Sequence, residues 1–455
     1  MLSLGVVRVR GESPSIFLSC YLKTDDIAPI GRQLFFLILI SAKREMMGVN
    51  DEKYGNVYYL YSIADKRRIS PIMNIQKLRL TNFKCFTEEE IEFQPHFNVI
   101  IGINGAGKSS VLQAIKILVS NYFVGIKSKY AKTQNFAEKD VRQAIIRSKR
   151  APQFPVHIEG DFDLMPSFVG ADPMPAPRPQ TSARWKESET GSVKYGNNNP
   201  LCELARFDYM AAYDESRSPQ IILPLLTFYN TERIAGKPYI TEGKILQRDT
   251  RMIGYVDWYK AGVSNEHFLN WFLTESLNAQ QREESKGHLQ LVKETILTFL
   301  DGWNDIKTLN AEIYLISENK EWTSFDLLSD GYRGLVGMVA DLAFRCLSLN
   351  DHLENPIEST PGIVLVDELD LHLHPSLQRI VVEKLKQTFP RLQFITTSHS
   401  PFVVQSAQPQ ELILLNRDEE GKRTVSYGQQ DYNKWRVDQI LASELFGVQN
   451  LRSEE

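Results

Sequence analysis

Phe97-Asn98-Val99-Ile100-Ile101-Gly102-Ile103-Asn104-Gly105-Ala106-Gly107-Lys108-Ser109 is the stretch on which the fold turns. Phe97 to Ile101 reads as a strand buried on both faces. Gly102 to Ser109 matches GxxxxGK[ST] in full. Val111, Leu112, Ala114, Ile115 and Leu118 then recur at helical spacing. Strand, glycine loop and helix make an α/β opening. Backbone N–H groups of Asn104, Gly105, Ala106, Gly107, Lys108, Ser109 and Ser110 line such a loop and its helix N-terminus, and cradle phosphate oxygens. Lys108 would reach the β- and γ-phosphates, and the Ser109 hydroxyl would ligate Mg²⁺. The plain alternative is a glycine turn with a solvated lysine, and the flanking strand and helix weigh against it.

Composition sets the outer bounds. The 455 residues carry 52 Lys+Arg against 56 Asp+Glu, with 42% hydrophobic and 24% charged residues. That is ordinary globular chemistry, and it excludes collagen-like, coiled-coil-dominated and largely disordered chains. The apolar run Leu34–Ile40 is far shorter than the ~20 residues that cross a bilayer, so no membrane role is expected. Cys20, Cys85, Cys202 and Cys346 show no CxxC spacing. A disulfide framework or zinc cluster is therefore not expected, and a reducing, cytoplasmic setting is. Near-zero net charge leaves any grip on nucleic acid to a local basic face.

Three more segments carry chemistry. In Ile363-Val364-Leu365-Val366-Asp367-Glu368 an apolar strand ends in adjacent carboxylates, at the sheet edge where open α/β folds bind ligands. Asp367 would join the Mg²⁺ shell, and Glu368 would act as general base toward an attacking water. Leu328-Ser329-Asp330-Gly331 precedes a predicted helix. It reads either as a second anion-binding helix terminus or as a simple N-cap at Ser329 or Asp330. Ile395-Thr396-Thr397-Ser398-His399-Ser400 is a strand running into a polar cluster whose histidine could meet a γ-phosphate.

Along the chain, 1–72 shows no sustained period and reads as a loosely ordered extension, with Met73 as an alternative start. The basic stretch 127–150 is either a phosphate-backbone track or a solvated helix. Residues 166–200 are rich in Pro, Gly, Ser and Asn. Helical patterns dominate from about 255 to 305, too briefly for a coiled-coil arm. Arg233 reads as a structural ion-pair residue. The tail carries a strand-turn-strand around Glu419–Lys422 and a short apolar helix.

The order of the motifs resembles the ABC-type ATPases of the RecF/SMC branch, and within it the bacterial ATPases related to OLD nucleases. Leu78-Arg79-Leu80-Thr81-Asn82-Phe83-Lys84-Cys85-Phe86 resembles that branch's first strands. Asp367-Glu368-Leu369-Asp370-Leu371-His372-Leu373-His374-Pro375 is similar to its extended Walker B segment, and Thr397–Pro401 to its switch. The HLHP pattern accounts for His372 and His374 better than a zinc site does. The resemblance implies an α/β fold, an ABC-type P-loop ATPase head with a mixed sheet, a helical insertion and a β-rich lobe. It divides the chain into an extension 1–72, an ATPase lobe 73–165 with Walker A, an insertion 166–330, a lobe 331–415 with signature helix, Walker B and switch, and a tail 416–455 suited to a partner contact.

It further implies ATP and Mg²⁺ as cofactors, with nucleotide contacts extended to Asn82 and Lys84. Two protomers would face head to tail, with Ser329, Asp330 and Gly331 meeting the partner's γ-phosphate in trans and His399 acting in cis. Gln134 is a positional candidate for the Q-loop. The family most similar is the ATPase subunit of Septu-type, retron-associated anti-phage systems, which pairs with an HNH nuclease. A homodimer or higher even-numbered assembly, a nuclease partner and a DNA or RNA contact follow from that resemblance. The segment after His399 is too short for a Toprim nuclease domain, so no nuclease activity of its own is expected. A RecF-like DNA-binding ATPase of repair or recombination is the alternative. A transporter subunit fits poorly, because Gly102 and Leu328 lie too far apart.

Overall fold

Runs of bulky apolar residues fix the layers that carry the loops. The computed structural model describes residues 73–146, 149–164, 179–196, 199–212, 221–231, 251–260, 264–310, 312–417, 423–443 and 445–446, all within one compact unit, 64–455. The expectations for 1–72, Arg233 and the turn at 419–422 lie outside these residues.

In chain order the strands are β1 (Met73–Thr81), β2 (Glu88–Glu92), β3 (Phe97–Ile101), β4 (Gln143–Ile146), β5 (Lys149–Pro152), β6 (Val156–Leu164), β7 (Pro179–Lys186) and β8 (Lys194–Tyr195). They continue with β9 (Leu225–Tyr229), β10 (Trp303–Leu309), β11 (Glu312–Ser317), β12 (Trp322–Ser324), β13 (Gly362–Val366), β14 (Leu392–Thr397), β15 (Leu412–Arg417) and β16 (Arg423–Tyr427). The longer helices are α1 (Lys108–Val119), α2 (Pro200–Ala212), α3 (Ser264–Asn278), α4 (Glu283–Leu297), α5 (Asp330–Asn350) and α6 (Val381–Thr388).

The central sheet runs β16-β15-β3-β14-β13-β9. Its strands pair in parallel except for β16, which is antiparallel to β15. Every residue of β3, β9, β13 and β14 is buried, as expected of a parallel sheet covered on both faces. Register then places the site. Val366 sits opposite Tyr229 and Thr396, and Thr397 opposite Ile100, so the loops after β3, β13 and β14 leave one edge side by side.

A second, antiparallel sheet, β2-β1-β6-β7-β8, alternates buried and half-exposed residues along β6. Helix α1 lies between the sheets, touching β13 and β14 on one side and β6 and β7 on the other. Gln393 on β14 fastens β1 to the central sheet: its amide nitrogen donates to the Ile75 and Gln94 carbonyls (both 2.8 Å), and its oxygen accepts from Ile75 N–H (2.9 Å). The Phe97 and Phe394 rings stack at 5.4 Å, each fully buried and worth about 1.5–3 kcal/mol of apolar transfer.

Helix α5 packs against α3, α4 and the 3₁₀ segment Arg251–Tyr255. Between α4 and α5 the chain forms the meander β10-β11-β12, which helical periodicity upstream had masked. Among its described residues the basic stretch holds no α-helix: it is irregular chain, a 3₁₀ turn at Glu138–Asp140 and the paired strands β4 and β5. Among the described residues, no helix is long and apolar enough to cross a membrane.

Candidate functional site

The loop after β3 takes its shape from glycine. Gly107 caps α1 at φ 115°, in the left-handed region, and a Cβ there would fall 2.7 Å from the Phe86 ring and 2.8 Å from Cys85 Sγ. Only glycine lets the segment 82–86 back onto the loop this closely. The resembling opening strands therefore reach the site through Cys85 and Phe86. The side chains of Asn82 and Lys84 are engaged elsewhere: Asn82 Nδ2 donates to the Pro155 carbonyl (3.0 Å), and Lys84 Nζ lies 3.5 Å from the buried Asp140 carboxylate.

Lys108 is buried and folded back on its own loop, donating to the carbonyls of Gly102 (2.8 Å) and Ile103 (3.3 Å). Burial pulls its pKa below the usual lysine value, and Asp367, Glu368 and Asp370 partly offset that. Asn104 and Gly105 are exposed, while Ala106 is buried beneath the loop. Arg417, at the end of β15, donates to the Gly105 carbonyl (2.7 Å) and pins the loop's tip. Ser110 starts the helix ladder by bonding back to the Gly107 carbonyl (2.9 Å).

Asp367 is the point of convergence. Its Oδ1 accepts from Ser109 Oγ (3.1 Å) and from Thr397 Oγ1 (2.6 Å), so Walker A, Walker B and the switch strand meet on one oxygen. Thr397 Oγ1 also accepts from Glu368 N–H (2.7 Å). Glu368 itself has φ 51°, a left-handed backbone that a non-glycine residue adopts at a cost, of the kind found at functional sites. The donor set of hydroxyl and carboxylate oxygens suits a small, hard divalent cation that keeps waters and phosphate oxygens for its other positions. His399 N–H donates to Asp370 Oδ1 (3.2 Å). Burial, then Lys108, pushes the His399 pKa below the usual histidine value, while Asp370, Glu368 and Asp367 pull the other way. The balance favours the neutral ring.

Ser329 is the N-cap of α5, its Oγ accepting from Tyr332 N–H at 3.5 Å, and Asp330 pairs with Arg333 one turn on. Ser329 and Asp330 are exposed; Gly331 is buried. A Cβ on Gly331 would fall 2.1 Å from the His372 carbonyl oxygen, so the helix start rests directly on the backbone of the HLHP segment. His374 caps the turn Pro375–Gln378, with Nδ1 accepting from Ser376 N–H (3.3 Å). Gln134 contributes its carbonyl to Ser120 Oγ (3.0 Å) and to buried Arg184, and its amide stays on Thr133.

The structure thus gathers Lys108, Ser109, Asp367, Glu368 and His399 at one sheet edge. Ser329 to Gly331 stand on the adjoining helix start, while Asn82, Lys84 and Gln134 sit in the flanking lobe. Sequence reasoning missed Thr397, Asp370 and Arg417. The signal for Thr397 was its place as the last residue of a strand beside β13.

Comparison with known proteins identifies ATPase domains. Two family models match consecutive segments: "AAA ATPase domain" over 73–207 and "AAA domain, putative AbiEii toxin, Type IV TA system" over 208–405. The chain is similar to a retron Vc95 probable ATPase of Vibrio cholerae, 25% identical over 86% of this chain and 83% of that one. It is also similar to a Septu protein PtuA of Bacillus thuringiensis, 23% identical over 83% of this chain and 85% of that one. A solved SMC head domain from Thermotoga maritima superposes with a TM-score of 0.43 at 17% identity, over 78% of this chain and all of that one. With its phosphate loop, paired carboxylates and mixed sheet, the chain is an ATPase built from the AAA-type domains that the two models describe, and it is similar to retron ATPases, Septu PtuA and an OLD nuclease.

Proposed function

We propose that two copies of this ATPase close head to tail around ATP, and that the closed state governs a partner nuclease in anti-phage defence. One observation carries the dimer reading. Lys108, Ser109 and Asp367 are already assembled, while the second anion-binding terminus, Ser329 and Asp330 on α5, is exposed to meet another molecule. Similarity to Septu and retron ATPases supports the defence role; an HNH-type partner, a cytoplasmic setting and a homodimer or larger even-numbered assembly belong to the same proposal.

In that reading the γ-phosphate is attacked in line by water. Positioning and charge neutralisation do most of the work. Lys108 leaves its loop carbonyls for the phosphates, and backbone N–H groups of Asn104 to Ser110 cradle them. Ser109 and Asp367 would hold Mg²⁺, which when bound neutralises the β- and γ-oxygens. Glu368 takes the water's proton, held in place through Thr397, and neutral His399 bonds the γ-phosphate. Ser329, Asp330 and Gly331 complete the site in trans. Glu368→Gln should trap the closed state: light scattering is expected to show a doubled mass with ATP and Mg²⁺ but not with ADP. Unchanged turnover in that variant would overturn the assignment of Glu368.

A RecF-like reading keeps one observation in its favour. Lys149 and Arg150 are exposed on the hairpin β4–β5, and Lys139 is exposed on the 3₁₀ turn that precedes it. Salt-dependent DNA binding by the purified chain alone would support it.

A further inference from the structure

A buried polar chain links the signature helix to Walker B, and stability alone does not explain it. Tyr229, the last residue of β9, donates its hydroxyl to Asp341 Oδ2 (2.6 Å). The same oxygen accepts from Arg345 Nε (2.7 Å), one turn further along α5. Arg345 Nη1 continues to the carbonyls of Gly254 (2.8 Å) and Val256 (3.0 Å). All three side chains are at most 1% exposed. Asp341 Oδ1 has no hydrogen-bond partner among the described residues. A charged pair so buried gains little over an apolar trio of equal volume, because desolvation consumes most of the attraction. What it does supply is a fixed geometry.

That geometry ends at Asp367, the carboxylate assigned to Mg²⁺. The Tyr229 carbonyl accepts from Asp367 N–H (2.7 Å), and Tyr229 lies opposite Val366 in the parallel register. At the other end of the same helix, Gly331 rests on the His372 carbonyl, five residues beyond Asp367. Helix α5 therefore grips the Walker B segment at two points, one through the strut and one by direct backbone contact.

We propose that Tyr229, Asp341 and Arg345 are positioning residues that hold Asp367 in register with the signature helix, so that engagement of Ser329 by a partner sets the carboxylate against Ser109. The part concerning the partner rests on the head-to-tail reading; the strut itself acts within one chain. None of the three is among the residues assigned to nucleotide or metal.

Tyr229→Phe is the test, since it removes one oxygen and leaves Arg345 on Asp341. Turnover is expected to fall about tenfold, with affinity for a fluorescent ATP analogue within about twofold of the parent. The Mg²⁺ concentration giving half-maximal turnover should rise about threefold or more, a readout that a merely structural residue would not move. Turnover and Mg²⁺ requirement both within about twofold of the parent would overturn the proposal, as would nucleotide affinity falling in parallel with turnover. If the variant does not fold, hydrogen exchange on the parent decides. A non-hydrolysable ATP analogue with Mg²⁺ should protect 335–347 together with 363–369, and protection of 363–369 alone would refute the strut. Failure of the dimer reading is visible separately, as a Glu368→Gln variant that stays monomeric with ATP while Tyr229→Phe still shifts the Mg²⁺ requirement.

Discussion

Gly331→Ala isolates the contact between the signature helix and the HLHP segment. The new Cβ would stand 2.1 Å from the His372 oxygen, 2.9 Å from its carbonyl carbon and 3.3 Å from Leu373 Cα. Ordinary carbon contacts lie near 3.5–4.0 Å, and all three neighbours are backbone, so no rotamer change relieves the overlap. The helix start and the loop must part by roughly 1 Å, at a cost of about 1–3 kcal/mol. Alanine's helix preference over glycine returns at most ~1 kcal/mol. Gly287 on α4 is the control: a Cβ there meets nothing within 4 Å, so alanine should stabilise by about 0.5–1 kcal/mol. Urea denaturation of both variants should give opposite signs at unchanged slope. Turnover of Gly331→Ala should fall about a hundredfold, since 1 Å of misplacement commonly costs that much. If Gly331→Ala proves as stable as Gly287→Ala and turns over ATP like the parent, the contact does not couple the helix to Walker B.

Two other side chains give measurable outcomes. Gln393→Leu removes the buried side-chain partner of the Ile75 N–H and carbonyl, while the Gln94 carbonyl keeps Asn98 Nδ2 (2.8 Å), and should cost about 2–3 kcal/mol in urea denaturation. His352 is pushed down to about 4 by burial and by Arg251, with Asp351 opposing. The unfolded chain then takes up this proton first, near pH ~6.5, so stability present above that pH is lost as pH falls toward 4. His352→Leu should flatten the change in denaturation midpoint between about pH 7.5 and 5, and an unchanged slope would exclude His352 as its source.

The fold was legible wherever chemistry is local. The apolar runs ahead of Asp367 and Ser398 were readable as strands, and they are β13 and β14, because strands buried on both faces are continuous apolar runs ended by polar groups. The Walker A lysine and serine and the Walker B carboxylates were legible for a similar reason, each tied to a fixed offset in a short loop. Thr397, Arg417 and Tyr229 were not. Their roles arise from lateral strand register, which joins residues far apart in sequence and leaves no period to read. The hairpin β4–β5 was hidden by its charge, since a basic run has the same composition whether helical or extended. Gly331 shows a further limit: as a motif letter it suggested an anion contact, and only packing revealed its place against His372.

Composite sites are the centre of the account, and mixing two inactive variants tests them most directly. Lys108→Ala keeps an intact signature but lacks the phosphate lysine, and Ser329→Arg keeps the phosphate loop but blocks the signature. Each alone should be nearly inactive. Mixed in equal amounts, they should recover ATP turnover, because the loop of one protomer meets the signature of the other. Recovery close to that of a quarter of the parent's sites is expected if dimers form at random. No recovery, with both variants folded and Ser329→Arg still binding ATP, would contradict the head-to-tail site.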